Sequence, residues 1–427
     1  MTQENQNQPS EFDAVLGGQL SPPINGLVLG GIEGVKHRLK SSDIEVQIQA
    51  LSEALDYSKH GLDLVIEILG RSPENLQRLI GRLLREKGGV EGKQFLLNYD
   101  PWLFFTILED WDKDELYSQY IVPKSRDVLR RVSTEQQLQN LLQKPKINNL
   151  GALLCETISY DKGTNLEFRF CVNALVNAHQ QLPNLKALFI GQIDGLEPYS
   201  EGYAISSIGN IYSILRAFPN LEVLHLCGCL GRVDNYKKHN NRQLIAEIQS
   251  PQQKLHKISK RSSFSTKCER TKHAQLKTLI IEFSDVTDDN ITQLCNLEYP
   301  SLEYLELWLG RNDTDKIGDS LAPILSGECC PNLLYCGLIG SRYTNAIAKA
   351  IANSTIVERL KVVDLSSGFL SNEGVSALIN CQTVNNLHTL NVSENSLTPD
   401  MLEKLSQLKC QVIADSQFRD RYTPTYE

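Results

Sequence analysis

The 427-residue sequence lacks any apolar run long enough for a membrane span, which requires about 20 residues. Its opening, MTQENQNQPSEFD, lacks the basic-then-apolar plan of a secretory signal, so a cytoplasmic location is expected. Positive charge is not in excess: the formal net charge of −8 argues against a general polyanion binder. Eleven cysteines form an odd set without framework spacing, in a chain too large to need covalent staples. They are expected to be reduced thiols.

Signatures of chemistry are equally sparse. GLVLGGIEG at 26–34 has the glycines of a phosphate loop, yet no strand, βαβ unit or distal acid accompanies it. Cys227-Gly-Cys229 near His225 misses the two-residue gap of a zinc knuckle and has no second pair. The neighbouring Cys329 and Cys330 should point apart on any regular element, and Cys336 and Cys381 fit core positions. His and Asp spacing gives no nucleophile signature. Neither an enzyme, a cofactor nor a metal site is therefore expected.

What the sequence has is a recurring phrase. LPNLKALFI (182–190), FPNLEVLHL (218–226), HAQLKTLII (from 273), YPSLEYLEL (from 299), CPNLLYCGL (from 330), VERLKVVDL (from 357) and VNNLHTLNV (from 384) share apolar residues at offsets of three and then two. That spacing suits one short strand. The first apolar residues, Leu185, Leu221, Leu276, Leu302, Leu333, Leu360 and Leu387, lie 36, 55, 26, 31, 27 and 27 residues apart. Between phrases the stripes become helical, as in Ile317, Leu321, Ile324 and Leu325, or Ile291, Leu294 and Leu297. Helix starts are predicted at Thr287-Asp288-Asp289 and at Thr398-Pro399-Asp400. Each repeat thus reads strand, turn, helix. Three leucines bury too little surface to offset the ordering of a whole repeat, so the repeats must stack, each phrase forming one rung of a parallel sheet.

These phrases resemble leucine-rich repeats of the ribonuclease-inhibitor type. LPNLKALFIGQ, AFPNLEVLHLCG and LEYLELWLG are similar to bacterial leucine-rich-repeat proteins found alongside WGR domains. The resemblance covers about residues 146–415 and implies an α/β solenoid, strands on the concave face and helices on the convex one, that binds proteins. Cys336 and Val363 depart from the leucine pattern, and the asparagine rung of the class is clear only at Asn395.

Residues 24–115 read as helices. Apolar stripes fall at Leu51 and Leu55, then Leu62, Val65 and Leu69, then Leu76, Leu79, Ile80 and Leu83, with a helix start at Ser72-Pro73-Glu74. The opening GGIEGVKHRL resembles HEAT-like repeats of cyanobacterial proteins, which implies a capping or second binding module and, remotely, pigment-protein maturation. The plan is then a polar tail (1–23), a helical module (24–115), a linker of mixed structure (116–145), the solenoid (146–415) and a second tail (416–427). Within the solenoid, residues 232–272 carry eleven Lys or Arg against Asp234, Glu247 and Glu269, a net +8. This insert suits RNA, an acidic partner or an anionic surface, or is simply a solvated loop; its low aromatic content disfavours base stacking.

Strand alternation assigns a binding face. With leucine at slots one, four and six, slots four and six turn inward and slots three, five and seven turn to the concave side. Phe189, Tyr304, Trp308 and Tyr335 then place aromatics there, with His225, Glu282, Glu306 and Asp364 around them. The expected function is a scaffold that binds a basic or amphipathic protein segment on these eight residues. The aromatics are alternatively covered within the monomer, by the helical module, the tail or the insert. Other readings are regulation of a partner enzyme such as a GTPase, with Arg311 or Arg342 as the supplied arginine, and an adaptor acting through the basic insert. Oligomeric state is left open.

Overall fold

The computed structural model describes residues 31–111, 127–156, 168–191, 211–227, 271–282, 288–310 and 316–417. The basic insert lies outside these residues except for Thr271 and Lys272, as do both tails apart from Ser416 and Gln417. The chain divides into two compact units, one of Met1–Arg130, Pro145–Leu154 and Asn184–Leu188, the other of Arg131–Lys144, Cys155–Pro183 and Phe189–Glu427.

In the first unit the stripes become five helices, α1 (Gly31–Arg38), α2 (Ile44–Ala54), α3 (Ser58–Leu69), α4 (Glu74–Lys87) and α5 (Gly89–Tyr99). Leu51, Leu62, Val65, Leu69, Ile80 and Leu83 are buried, as the periodicity predicts, whereas Leu55, Leu76 and Leu79 are half-buried. Asp43 caps α2 by accepting from the Glu45 N–H at 2.8 Å. Helix α4 begins one residue later than expected: Pro73 is its cap, because Ser72 donates backwards to the Ile68 carbonyl. At Gly61 a Cβ would lie 1.6 Å from the Ala54 carbonyl oxygen, so only glycine permits this approach of α3 to the end of α2.

Beyond α5, the stretch expected as linker contains β1 (Asp127–Val132) and a helix at Glu135–Leu142, capped by Thr134. Strand β2 (Leu150–Glu156) was not among the phrases, and its register betrays it. The Lys186 N–H donates to the Gly151 carbonyl at 2.8 Å, the bond that Lys277 makes to Glu222 two steps later in the repeats. LGALLCE thus fills slots one, four and six with Leu150, Leu153 and Cys155. Strand β3 (Ala187–Gly191) follows.

In the second unit β4 (Val223–Cys227), β6 (Thr278–Glu282), β8 (Tyr304–Trp308), β9 (Tyr335–Ile339), β10 (Val362–Asp364), β11 (Thr389–Asn391) and β12 (Gln411–Ile413) pair in parallel, in chain order. Slot three always meets slot three: Val223, Thr278, Tyr304, Tyr335, Val362, Thr389 and Gln411 form one row. Strand β12 escaped the phrase count because its first slot holds Lys409. A smaller parallel pair joins β5 (Thr271–Lys272) to β7 (Leu297–Glu298), so Leu297 ends in a strand rather than in the helix Asp288–Cys295. The architecture is α/β, a parallel sheet with helices between successive strands. From β4 to β11, slots four and six are buried together with the helix stripe Ile317, Leu321, Ile324 and Leu325.

Asn395 is fully buried and shows why this residue type belongs at slot nine. Its Oδ1 accepts from the Leu370 N–H at 2.8 Å, and its Nδ2 donates to the carbonyls of Leu365, Val392 and Ser393 at 2.9–3.1 Å. One amide thus satisfies backbone groups of two consecutive turns that water does not reach. Replacement by alanine strands them, and Asn395→Ala should lower unfolding free energy by about 2–4 kcal/mol in a urea melt. A midpoint equal to wild type contradicts this role.

Candidate functional site

Successive rungs place equal slots side by side, so side chains far apart in sequence meet as lateral neighbours. On the face of slots three, five and seven, the Tyr304 and Tyr335 rings stack face to face, 3.9 Å between centroids and 2° between planes. Tyr335 lies along its own strand over Gly337: a Cβ there would come 2.9 Å from its ring and 3.3 Å from Glu306. The empty slot gives the ring its bed.

Both phenols then reach acids. Tyr304 donates to Glu306 Oε2 at 2.6 Å and Trp308 Nε1 donates to Glu306 Oε1 at 2.7 Å. The Tyr335 hydroxyl lies between two carboxylates, 3.4 Å from Glu306 and 3.3 Å from Asp364. Asp364 further accepts from Asn391 Nδ2 at 2.9 Å and from the Ser366 N–H at 2.9 Å. Five of the eight predicted residues therefore form one network, Trp308–Glu306–Tyr304–Tyr335–Asp364.

The other three form a second group on β3, β4 and β6. His225 Nε2 lies 2.7 Å from Glu282 Oε1, and the Phe189 ring meets the imidazole edge-on at 4.8 Å. Burial pushes the Glu282 carboxyl up, but the hydrogen bond and charge of His225 and a bond from Cys227 together hold it below its usual range. Glu306 behaves oppositely. Burial, with repulsion from Glu282 and Asp364, pushes its carboxyl up despite the Tyr304 and Trp308 donors. Burial first, and then the Glu306 charge, raises the Tyr304 phenol, while burial and the Tyr304 and Glu306 charges raise that of Tyr335.

Exposure corrects the sequence reading. Slot three was expected to face outward, yet Tyr335 is 2% exposed and Tyr304 8%, and the rest of that row from Ala187 to Thr389 is buried too. Phe189 and Asp364 are likewise buried, at 5% and 7%. The Tyr304 and Tyr335 rings stack at strand spacing, so each covers a face of the other. His225, Glu282, Glu306 and Trp308 are half-exposed, as are Ile280 and Cys227. Asn391 and Gly337 were missed as site residues; the slot-five row, Glu306-Gly337-Asp364-Asn391, contained the signal.

The remaining candidates separate. Arg342 is exposed after β9, and Arg311 lies outside the described residues, as does Cys229. Cys329 and Cys330 do not point apart: they occupy a turn, with sulfurs 3.5 Å from each other. The buried Cys336 thiol is pushed up to about 12 by burial, whereas Cys381 is half-buried. All nine described cysteines are free thiols. Among the described residues no group of three or more His, Cys, Asp or Glu is arranged to hold a metal, and no helix is long and apolar enough to cross a membrane.

No family model and no curated protein matches the sequence. Among solved structures, the chain is similar to a Bacteroides fragilis protein at 19% identity, over 66% of this chain and 70% of that one, with a TM-score of 0.47. It is also similar to an internalin from Listeria monocytogenes at 15% identity, over 73% and 71%, with a TM-score of 0.32.

The raised Glu306 carboxyl has a thermodynamic consequence. The folded chain holds this proton more tightly than the unfolded chain, so the group's contribution is full below the ordinary carboxyl range and is lost as pH rises through the folded value. A Glu306→Gln amide keeps an acceptor for Trp308 and turns its nitrogen to the phenols. Glu306→Gln should therefore melt above wild type at pH 7.5, with the gap closing near pH 4. A pH-independent gap contradicts the assignment.

Proposed function

We propose that this protein is a non-catalytic interaction scaffold, a leucine-rich-repeat solenoid whose concave sheet face receives a basic or amphipathic segment of a protein partner. The carrying observation is the division of that face into floor and rim. Tyr304, Tyr335 and Asp364 are buried and hold one another and Phe189 is buried against His225, while His225, Ile280, Glu282, Glu306 and Trp308 stay half-exposed on the adjacent strands β4, β6 and β8. The register sets Ile280 beside Glu306 and Glu282 beside Trp308. An indole next to a carboxylate held ionised by histidine suits a lysine or arginine stem with its charged tip.

A non-catalytic reading is favoured by how the donors are used. The Tyr304 phenol and the Trp308 indole are spent on Glu306, and the raised phenols are poor acids near neutral pH. The helices of residues 31–99 are read as a HEAT-like module with a separate task.

The test uses the rim and leaves the floor intact. A Glu282→Lys, Trp308→Ala double variant should bind the partner captured by the wild-type chain at least about 30-fold more weakly. Arg342→Ala, away from the rim, should bind normally. Equal affinity for the double variant and wild type would remove the sheet face from function.

A further inference from the structure

The first unit contains a cavity of about 280 Å³ between helix α4 and the turns of residues 100–110. That volume is at the small end of ligand pockets and suits a molecule with a single ring. Three arginines, Arg78, Arg82 and Arg85, and three acids, Glu74, Asp100 and Asp110, line it. Arg82 is only 8% exposed, and it donates through Nε to Glu86 at 3.1 Å and through Nη1 to the Asp110 carbonyl. Its other terminal nitrogen, Nη2, has no hydrogen-bond partner among the described residues. A guanidinium carries donors only and matches a carboxylate or phosphate edge, and Nη2 leaves one such donor open at the partly open cavity.

The acids lining the cavity do not supply that anion. The Asp110 carboxylate takes Arg85 Nη2 at 2.5 Å and the Ile107 N–H at 3.3 Å. Asp100 is turned to the Trp102 N–H at 2.9 Å, where it caps the turn. Glu74 and Arg78 at the rim offset each other in charge. One wall is aromatic: Trp102 is 44% exposed, a large area for an indole, and is held edge-on against buried Phe105 at 6.3 Å. Leu79 and Leu103 continue the apolar lining.

We propose that this cavity binds a small aromatic anion, a carboxylate or phosphate on a single ring, with Arg82 Nη2 on the anionic edge and Trp102 against the ring. The site lies in the helical unit and is independent of the reading of the sheet face.

The experiment is ligand-observed NMR and calorimetry on the full chain with benzoate, phenyl phosphate, the neutral isostere benzamide and inorganic phosphate. Saturable binding of benzoate or phenyl phosphate is expected, with benzamide and inorganic phosphate weaker by at least about tenfold. The tighter of the two aromatic anions identifies the headgroup. Trp102→Ala removes an exposed ring without opening the core, and Arg82→Lys keeps the charge while losing the fork. Each should weaken binding at least about tenfold. Absence of saturable binding by both aromatic anions overturns the proposal, and so does binding that is indifferent to Trp102→Ala. Should Arg82→Lys fail to fold, the Trp102→Ala comparison still decides.

Discussion

The structure of the repeat unit depends on the in-register parallel ladder. Neighbouring strands lie about 4.8 Å apart, and every pair from β4 to β12 joins equal slots, so one short phrase is copied sideways into rows. Slots four and six become a continuous leucine-rich core. Slot three becomes a row of touching side chains, of which the Tyr304–Tyr335 stack is the largest pair. A slip of one residue would turn the leucines to the face and the acids to the core, which ties register to folding itself.

The same ladder sets the electrostatics. Glu282 and Glu306 occupy neighbouring rungs and Asp364 lies one rung further, beyond that of Gly337, and like charges so placed repel. The fold answers each acid differently: His225 faces Glu282, Tyr304 and Trp308 donate to Glu306, and Asn391 with the Ser366 N–H holds Asp364. The Glu306 carboxyl stays raised, since burial and its acidic neighbours outweigh two neutral donors.

Much of this was legible in the sequence because it is periodic. The phrases gave strand positions, and alternation brought the eight site residues onto one face. Rungs with atypical slots were lost, as with Lys409 ahead of β12 and the unrecognised LGALLCE of β2. Exposure was also lost, because alternation says which way a side chain points and not what its lateral neighbour covers; Gly337, which lets Tyr335 lie flat, has no side chain to attract notice. The Arg82 cavity left no trace in the pattern. It arises where turns after α5 fold back on α4, through bonds from Arg82 and Arg85 to carbonyls that any residue type presents.

The central claim is that Tyr304 and Tyr335 are the covered floor of the face and not its contact residues. Tyrosine nitration of the native full chain, read by peptide mass spectrometry, tests it most directly. The account predicts that Tyr99, at 41% exposure, is modified while Tyr304 and Tyr335 are protected until the chain is unfolded. Nitration of Tyr304 or Tyr335 in the native chain at the rate of Tyr99 would contradict it.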